Sequence, residues 1–143
     1  MTAKEYLSQA FRLDKRINSK LAVLSSLKDM AIRTTSLISD EVVSHTRNVN
    51  RLQDIIAKIV DAENEVNESI DLLVELKREI TSLIGSVANP SCQILLEHRY
   101  LCYHSWEEIA VELNMNIRSI YRLHGEALQE VDRILQHEKK FEI

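Results

Sequence analysis

Two long stretches of the chain repeat their apolar residues every seven positions. Within residues 2–38, one column of the repeat consists of Ala3, Ala10, Ile17, Leu24, Ala31 and Ile38. Within residues 51–87, the column is unbroken and consists of Leu52, Ile59, Val66, Leu73, Ile80 and Val87. A strict seven-residue repeat is typical of helices that supercoil against a partner helix. The pattern predicts two helical arms, and a short loop between them makes an antiparallel hairpin.

Each arm carries a second apolar column beside the first. In the first arm it contains Tyr6, Leu13 and Leu27, with Lys20 and Thr34 as interruptions. In the second arm it contains Ile55, Ala62, Leu76 and Leu83, interrupted by Ser69. A partial third column of Ile56, Ile70 and Ile84 makes the second arm more apolar than a two-helix seam requires. We expect this wider stripe to meet a third surface, either the C-terminal domain or the same arm of a second copy.

The ends of the arms carry local signals. Thr2 and Glu5 have the spacing of a capping box, which predicts a helix start at residue 2. Residues 39–50 lose the repeat and are rich in Ser, Asn and Asp, which predicts a loop. Asn50, followed by Gln53, is then the expected start of the second arm.

A boundary is predicted where Gly85 and Asn89–Pro90 interrupt the helical pattern. It separates the hairpin, residues 1–88, from a C-terminal domain, residues 89–143. Three helices are expected in that domain, over residues 90–103, from Ser105 to Leu113 and from Ile117 to about Gln136. The predicted fold is all-α, with a long antiparallel coiled-coil hairpin followed by a small helix-turn-helix domain.

Residues 105–128, SWEEIAVELNMNIRSIYRLHGEAL, have the pattern of a helix-turn-helix: a short helix, a three-residue turn and a longer helix. Apolar residues from both helices are spaced to form a shared core, namely Ile109, Leu113, Ile120 and Leu123. Asn114 lies in the turn, where a left-handed backbone is needed and asparagine tolerates one.

The first turns of the helix that begins near Ile117 then project outward as a candidate DNA-reading surface. Arg118 and Arg122 share a face, and arginine can donate two hydrogen bonds to a guanine edge. The other candidate contacts to phosphate or base are Asn116, Ser119 and Tyr121. Such residues on an exposed helix are often only solvated, so residue chemistry alone leaves DNA contact and a purely structural helix pair equally open.

The charge balance limits how this surface can bind. Residues 90–143 hold six Lys and Arg against nine Asp and Glu, and the whole chain has a net charge of −4. This composition disfavours a strongly basic, non-specific nucleic-acid binder. Because a small basic patch binds double-stranded DNA weakly, we expect a homodimer through the hairpin, which places two reading helices on one duplex.

Composition and motifs disfavour other functions. Two glycines cannot build a Gly-rich phosphate loop, and no apolar run approaches the roughly 18 residues of a membrane span. The two cysteines form no disulfide framework, which favours a cytoplasmic protein. Cys92, His98, Cys102 and His104 match no zinc-site spacing, so no metal site is expected, and Cys102 is predicted to be a buried thiol and His98 a surface imidazole. Without a catalytic constellation, no enzyme activity, cofactor or small-molecule substrate is expected.

The helix-turn-helix stretch resembles region 4 of bacterial sigma factors, with residues 106–110, WEEIA, in the place of the short first helix. Two features depart from that pattern. Asn114 stands where a turn glycine is common, and the basic residue after the apolar position is shifted to Arg122, behind Tyr121.

Nearly the whole chain resembles a small family of uncharacterised prophage proteins from Gram-positive bacteria. The resemblance is carried by TAKEYLSQAFRLDKRINSK, LVELKREITSLI, LLEHRYLCYHSWEEIA and YRLHGEAL. The chain is more distantly similar to the ArpU and RinA types of phage transcription regulator. These resemblances imply a DNA-binding transcriptional regulator. The alternative is a helical interaction module that docks a protein such as RNA polymerase without reading a DNA sequence, and the acidic balance of the C-terminal half favours it.

Overall fold

The structure, a computed structural model, describes residues 1–40 and 45–141, and these residues form helices and no strand. The helices are α1 Ala3–Asp40, α2 His45–Gly85, α3 Pro90–Leu96, α4 Trp106–Glu112 and α5 Ile117–Phe141. A π-helical turn, Glu97–Leu101, follows α3. The long helices α1 and α2 pack against each other as a hairpin, so the predicted all-α fold is confirmed. No helix in the described ranges is both long and apolar enough to cross a membrane.

The contacts divide the chain into two compact units. The core unit comprises Met1–Leu13 and Leu73–Ile143, and the arm unit comprises Asp14–Leu72. Both units contain a segment of α1 packed beside a segment of α2. The core unit therefore takes in the first turns of α1 and the last turns of α2 together with the C-terminal helices. These units are defined by contacts and not by independent folding. The predicted boundary between two domains at residue 88 therefore stays a prediction.

The core unit holds the hydrophobic core. Both long helices contribute residues of the seven-residue columns, including Ala3, Ala10, Ile80 and Leu83, and Val87 follows just after the end of α2. The C-terminal helices contribute Leu95, Leu96, Ile109, Ile120, Ala127 and Val131. Ile84 of the third column is fully buried in this cluster. The third surface that the apolar stripe of the second arm was expected to meet is, at Ile84, the C-terminal half of the chain.

The start of α1 is fixed by the predicted capping box. The Glu5 N–H donates to Thr2 Oγ1 over 3.2 Å, and the Thr2 N–H donates to Glu5 Oε2 over 3.1 Å. The Ala3 N–H donates to Asp132 Oδ1 over 2.8 Å, which ties the first turn of α1 to α5. These bonds satisfy three N–H groups at a helix end that has no intrahelical acceptors for them.

The arm unit is a two-helix seam in which two polar interruptions of the columns, Lys20 and Ser69, are paired, whereas the Thr34 hydroxyl donates to Met30 O of its own helix. Lys20 Nζ donates to Ser69 Oγ over 3.1 Å across the seam. Lys28 Nζ lies 3.5 Å from Glu63 Oε1 at its edge. The apolar column residues Ile17, Leu24, Ile55 and Val66 are buried between the helices. Lys20 and Ser69 therefore contribute a hydrogen bond to the pairing of the arms.

The predicted loop over residues 39–50 is wrong at both ends, and residues 41–44 lie outside the described residues. Helix α1 continues to Asp40, and α2 begins at His45 rather than at Asn50. The reason is that Asn48 lies seven residues before Ile55 and is buried, so the seam extends into a segment of weak helix formers. Tertiary packing overrides local helix propensity there.

Two helix ends in the C-terminal half also differ from the prediction. The helix expected over residues 90–103 is regular only from Pro90 to Leu96, because the Cys102 N–H bonds to Glu97 O and the His104 N–H to His98 O. Tyr103 then takes a positive φ of 62°. Helix α5 runs to Phe141, five residues beyond the predicted end at Gln136.

Candidate nucleic-acid interface

Side-chain caps and one left-handed residue shape the helix-turn-helix. The Glu108 N–H donates to Ser105 Oγ over 3.2 Å at the start of α4. The Ser119 N–H donates to Asn116 Oδ1 over 2.8 Å at the start of α5. Between the helices, Asn114 has a φ of 52°, which is the left-handed conformation that the turn was predicted to need. The turn therefore ends α4 and redirects the chain into α5.

The predicted shared core holds the two helices in place. Ile109 and Ile120 are fully buried, and Leu123 is buried as well. Leu113 and Ala110 are half-buried and pack against the same cluster. Ile120 anchors the first turns of α5 against this core, and the neighbouring Tyr121 and Arg122 are exposed.

The candidate DNA contacts lie at the start of α5 and differ in their exposure. Arg118 and Arg122 are exposed, and neither forms an ion pair with an acidic side chain in the described part of the chain. Tyr121 lies between them and is 52% exposed. Asn116 is exposed, but its side-chain oxygen caps the helix, and Ser119 is half-buried. The arginines are thus the best placed of the five residues to donate to a ligand.

Aromatic side chains pack against the inner side of the candidate DNA-reading surface. Trp106 of α4 meets the Tyr121 ring edge-on at a centroid distance of 5.6 Å, and the His124 ring at 4.5 Å. The Arg99 guanidinium lies over the Trp106 ring at 4.3 Å. Trp106 therefore links the π-helical turn to the exposed face of α5.

His124 and Tyr100 form a buried hydrogen-bonded pair in this cluster. Tyr100 Oη lies 2.6 Å from His124 Nε2. Burial, together with the charges of Lys4 and Arg99, lowers the pKa of His124 to about 4. Burial raises the pKa of Tyr100 to about 12. At neutral pH, the bond therefore joins an uncharged hydroxyl to an uncharged imidazole.

The low pKa of His124 predicts a loss of stability in acid. An unfolded histidine takes up a proton near pH 6.5, whereas His124 in the fold does so near pH 4. Its contribution is therefore complete above about pH 6.5 and declines as the pH falls towards 4. Between pH 7 and 4.5, the free energy of unfolding of the wild type should therefore fall. We expect His124→Gln to make this fall smaller by about 1–2 kcal/mol, allowing for partial exposure.

Urea denaturation at the two pH values measures this effect. His45→Gln, at an exposed position of α2, is the matched control for the loss of a histidine. Equal acid loss in the wild type and in His124→Gln would show that another group causes it.

The four cysteine and histidine residues are not gathered into one cluster. His98 and His104 lie together, with their Nδ1 atoms 2.9 Å apart, so that one ring donates to the other. Burial raises the pKa of the Cys92 thiol, which keeps it protonated. Among the described residues, no group of three or more His, Cys, Asp and Glu side chains is placed to hold a metal ion.

The predicted environments of Cys102 and His98 are wrong. Cys102 is exposed, although it lies seven residues after the buried Leu95 and would share its face in a regular helix. The wider π-helical turn between them shifts the register and turns the thiol outward. The same turn leaves His98 half-buried rather than on the surface.

Sequence reasoning missed a basic cavity of about 230 Å³ in the core unit. Lys4 of α1 and Arg99 of the π-helical turn lie in its wall, 95 positions apart in sequence. No local pattern reports such a pairing. Only the packing of the first turns of α1 against the C-terminal half brings the two cations together.

Comparison with known proteins gives one match. The family described as protein of unknown function (DUF1492) matches residues 31–132. No curated protein and no solved structure matches the chain.

Proposed function

Since the chain belongs to the DUF1492 family, whose description assigns no function, we propose from the site itself that it is a DNA-binding transcriptional regulator. In this proposal, the first turns of α5 enter the major groove. The observation that carries it is the pair of exposed arginines on a capped helix, held outward by the turn at Asn114. The resemblance to sigma-factor region 4 and to phage regulators supports the same assignment and a prophage origin. A place in the cytoplasm is proposed from the two cysteines, which form no disulfide framework.

The recognition chemistry follows from the side chains on this face. Arg118 and Arg122 lie one turn apart and reach successive bases, where each guanidinium can donate to N7 and O6 of a guanine. Tyr121 and Ser119 offer hydroxyls to the flanking phosphates, and Asn116 aligns the helix by capping it. This division leaves base reading to the arginines and positioning to the other three residues.

The experiment that tests this proposal selects bound duplexes from a random pool at near-physiological salt. The wild type and the Arg118→Ala/Arg122→Ala variant are run side by side. The proposal requires one short motif that is enriched by the wild type and lost in the variant. Enrichment by neither protein, or equal enrichment by both, would contradict it.

A second copy of the chain, bound through the arm unit, completes the proposed regulator. Leu21, Ile56 and Ile70 are 40–48% exposed. Ile56 and Ile70 lie seven residues on either side of Glu63, and Leu21 lies seven before Lys28, its ion-pair partner. We call these five residues the arm face. Its apolar side chains and its central opposite charges are complementary to a second, reversed copy of the same face.

We expect Ile56→Lys/Ile70→Lys to weaken self-association at least tenfold, because it places four like charges in the interface of each dimer. Ala57→Lys/Asn64→Lys adds the same charge to exposed positions about 100° further around α2 and is the matched control. Sedimentation velocity should give about twice the 16.5 kDa chain mass for the wild type and the control. A monomeric wild type at high concentration would refute the dimer.

The second candidate function is a non-enzymatic interaction module that docks a protein such as RNA polymerase. The exposed apolar residues of the arm unit favour it, because contiguous apolar surface commonly marks a protein-binding site. The two candidates differ in their response to the arginine variant. If the module docks a protein through the arm face, Ile56→Lys/Ile70→Lys abolishes its activity and Arg118→Ala/Arg122→Ala leaves it intact.

A further inference from the structure

We propose that the basic cavity of the core unit binds a small aromatic acid, that is, one ring carrying a carboxylate or phosphate group. The cavity lies among the first turns of α1, the π-helical turn and the start of α4. It is separate from the outward face of α5. The inference rests on its two cations, its aromatic walls and its size.

The two cations give the cavity a positive charge that an anionic ligand would neutralise. Neither Lys4 nor Arg99 forms an ion pair with an acidic side chain of the described ranges. Both charges act on the interior, since each of them lowers the pKa of His124. Arg99 is held in place by donating from Nη1 to His104 O over 3.0 Å, which uses one of its five N–H groups. A fixed guanidinium beside a free ammonium is suited to a single anionic group.

The walls are suited to a ring. Phe11, Tyr100, Tyr103 and Trp106 all line the cavity. Phe11 and Tyr103 meet edge-on at a centroid distance of 5.5 Å. The Arg99 guanidinium lies over one face of Trp106 and Lys77 Nζ over one face of Tyr103, so a planar ligand packs against the edges and the remaining faces of these side chains. Apolar walls with a few converging polar groups are the usual composition of a small-molecule site.

The volume of the cavity favours a small aromatic acid. A volume of about 230 Å³ is below the range of roughly 300–1,000 Å³ that is typical of drug-sized ligands. That space accommodates a single ring with one acidic group.

The cavity also has a route to the candidate DNA-reading face. Trp106 lines the cavity on one side and contacts Tyr121 and His124 of α5 on the other. A ligand stacked against Trp106 changes the support of Tyr121, and through it the position of the reading helix. This step rests on the proposed DNA-binding function, whereas ligand binding itself does not.

The test uses the fluorescence of Trp106, which is the only tryptophan of the chain. The full-length protein is titrated with benzoate and with phenyl phosphate, which separate the carboxylate and phosphate sources of the ligand. Benzyl alcohol supplies the ring without the charge, and inorganic phosphate supplies the charge without the ring. We expect a saturable change with at least one aromatic acid, at a concentration at least tenfold below that needed for either partial probe.

Substitutions in the cavity wall test whether the fluorescence change reports binding in the cavity. Lys4→Gln, at an exposed position that is not part of the buried core, should weaken binding at least tenfold. Arg12→Gln removes an exposed charge from the same helix outside the cavity and should have no effect. Arg99→Lys keeps the charge and loses the planar donor set, so we expect an intermediate loss.

Either of two results would overturn the site: no saturable change with both aromatic acids up to millimolar concentration, or equal weakening by Lys4→Gln and Arg12→Gln. The effect on DNA is read separately, as the change in affinity for the selected duplex when the aromatic acid that bound is added. We expect a change of about fivefold or more. A ligand that binds without changing DNA affinity would leave the site in place and remove the coupling.

Discussion

We expect the replacement of Arg118 and Arg122 by alanine to lower the affinity for the selected duplex by about 100-fold or more. Each bidentate contact to a guanine is worth about 1–3 kcal/mol, and the two arginines lie far enough apart to contact different bases. Because neither is committed to an ion pair with a described acidic residue, each can donate to DNA without first breaking a bond. Fluorescence anisotropy with a labelled duplex at fixed salt measures the loss.

The matched control is Arg133→Ala, which removes an exposed positive charge from the same helix, three turns beyond Arg122. It should change affinity by no more than the small amount expected of a remote surface charge. The double variant should also bind all sequences alike, because the base contacts are the source of discrimination. Equal losses in the double variant and in Arg133→Ala would mean that the arginines supply only general charge.

Ile120→Ala is expected to lower the free energy of unfolding of the core unit by about 2–5 kcal/mol. Ile120 is fully buried between α4 and α5, and its truncation leaves a cavity in addition to the lost burial. The change also loosens the first turns of α5, so DNA affinity should fall with stability. Urea denaturation followed by Trp106 fluorescence reports on this unit, since the chain has a single tryptophan.

Val111→Ala is the control for this substitution. Val111 lies on α4, two residues after the buried Ile109, and is 77% exposed. A surface truncation of this kind changes stability by about 0.5 kcal/mol or less. If Ile120→Ala were equally mild, Ile120 would not be the anchor that fixes the orientation of the reading helix.

The elements that local sequence determines were predicted well. The two arms follow from an unbroken seven-residue repeat, and the helix-turn-helix follows from caps at Ser105 and Asn116 with Asn114 between them. Each of these signals acts within a few residues along the chain. The structure confirms them because the same residues form the caps and the left-handed turn.

The elements that depend on packing were predicted badly or not at all. Residues 45–50 look like a loop by composition, yet they are helical because Asn48 continues the seam. The π-helical turn that exposes Cys102 has no distinct sequence signal. The cavity joins Lys4 to Arg99 across most of the chain, so neither residue is recognisable as part of a site until the fold is known.

The most direct test of DNA reading by α5 is an amide chemical-shift map of the 16.5 kDa protein, recorded with and without the selected duplex. The account predicts that the largest shift changes fall at Asn116–Arg122 and that they disappear in the Arg118→Ala/Arg122→Ala variant. Changes confined to the arm unit, or an unaltered spectrum at saturating DNA, would contradict it.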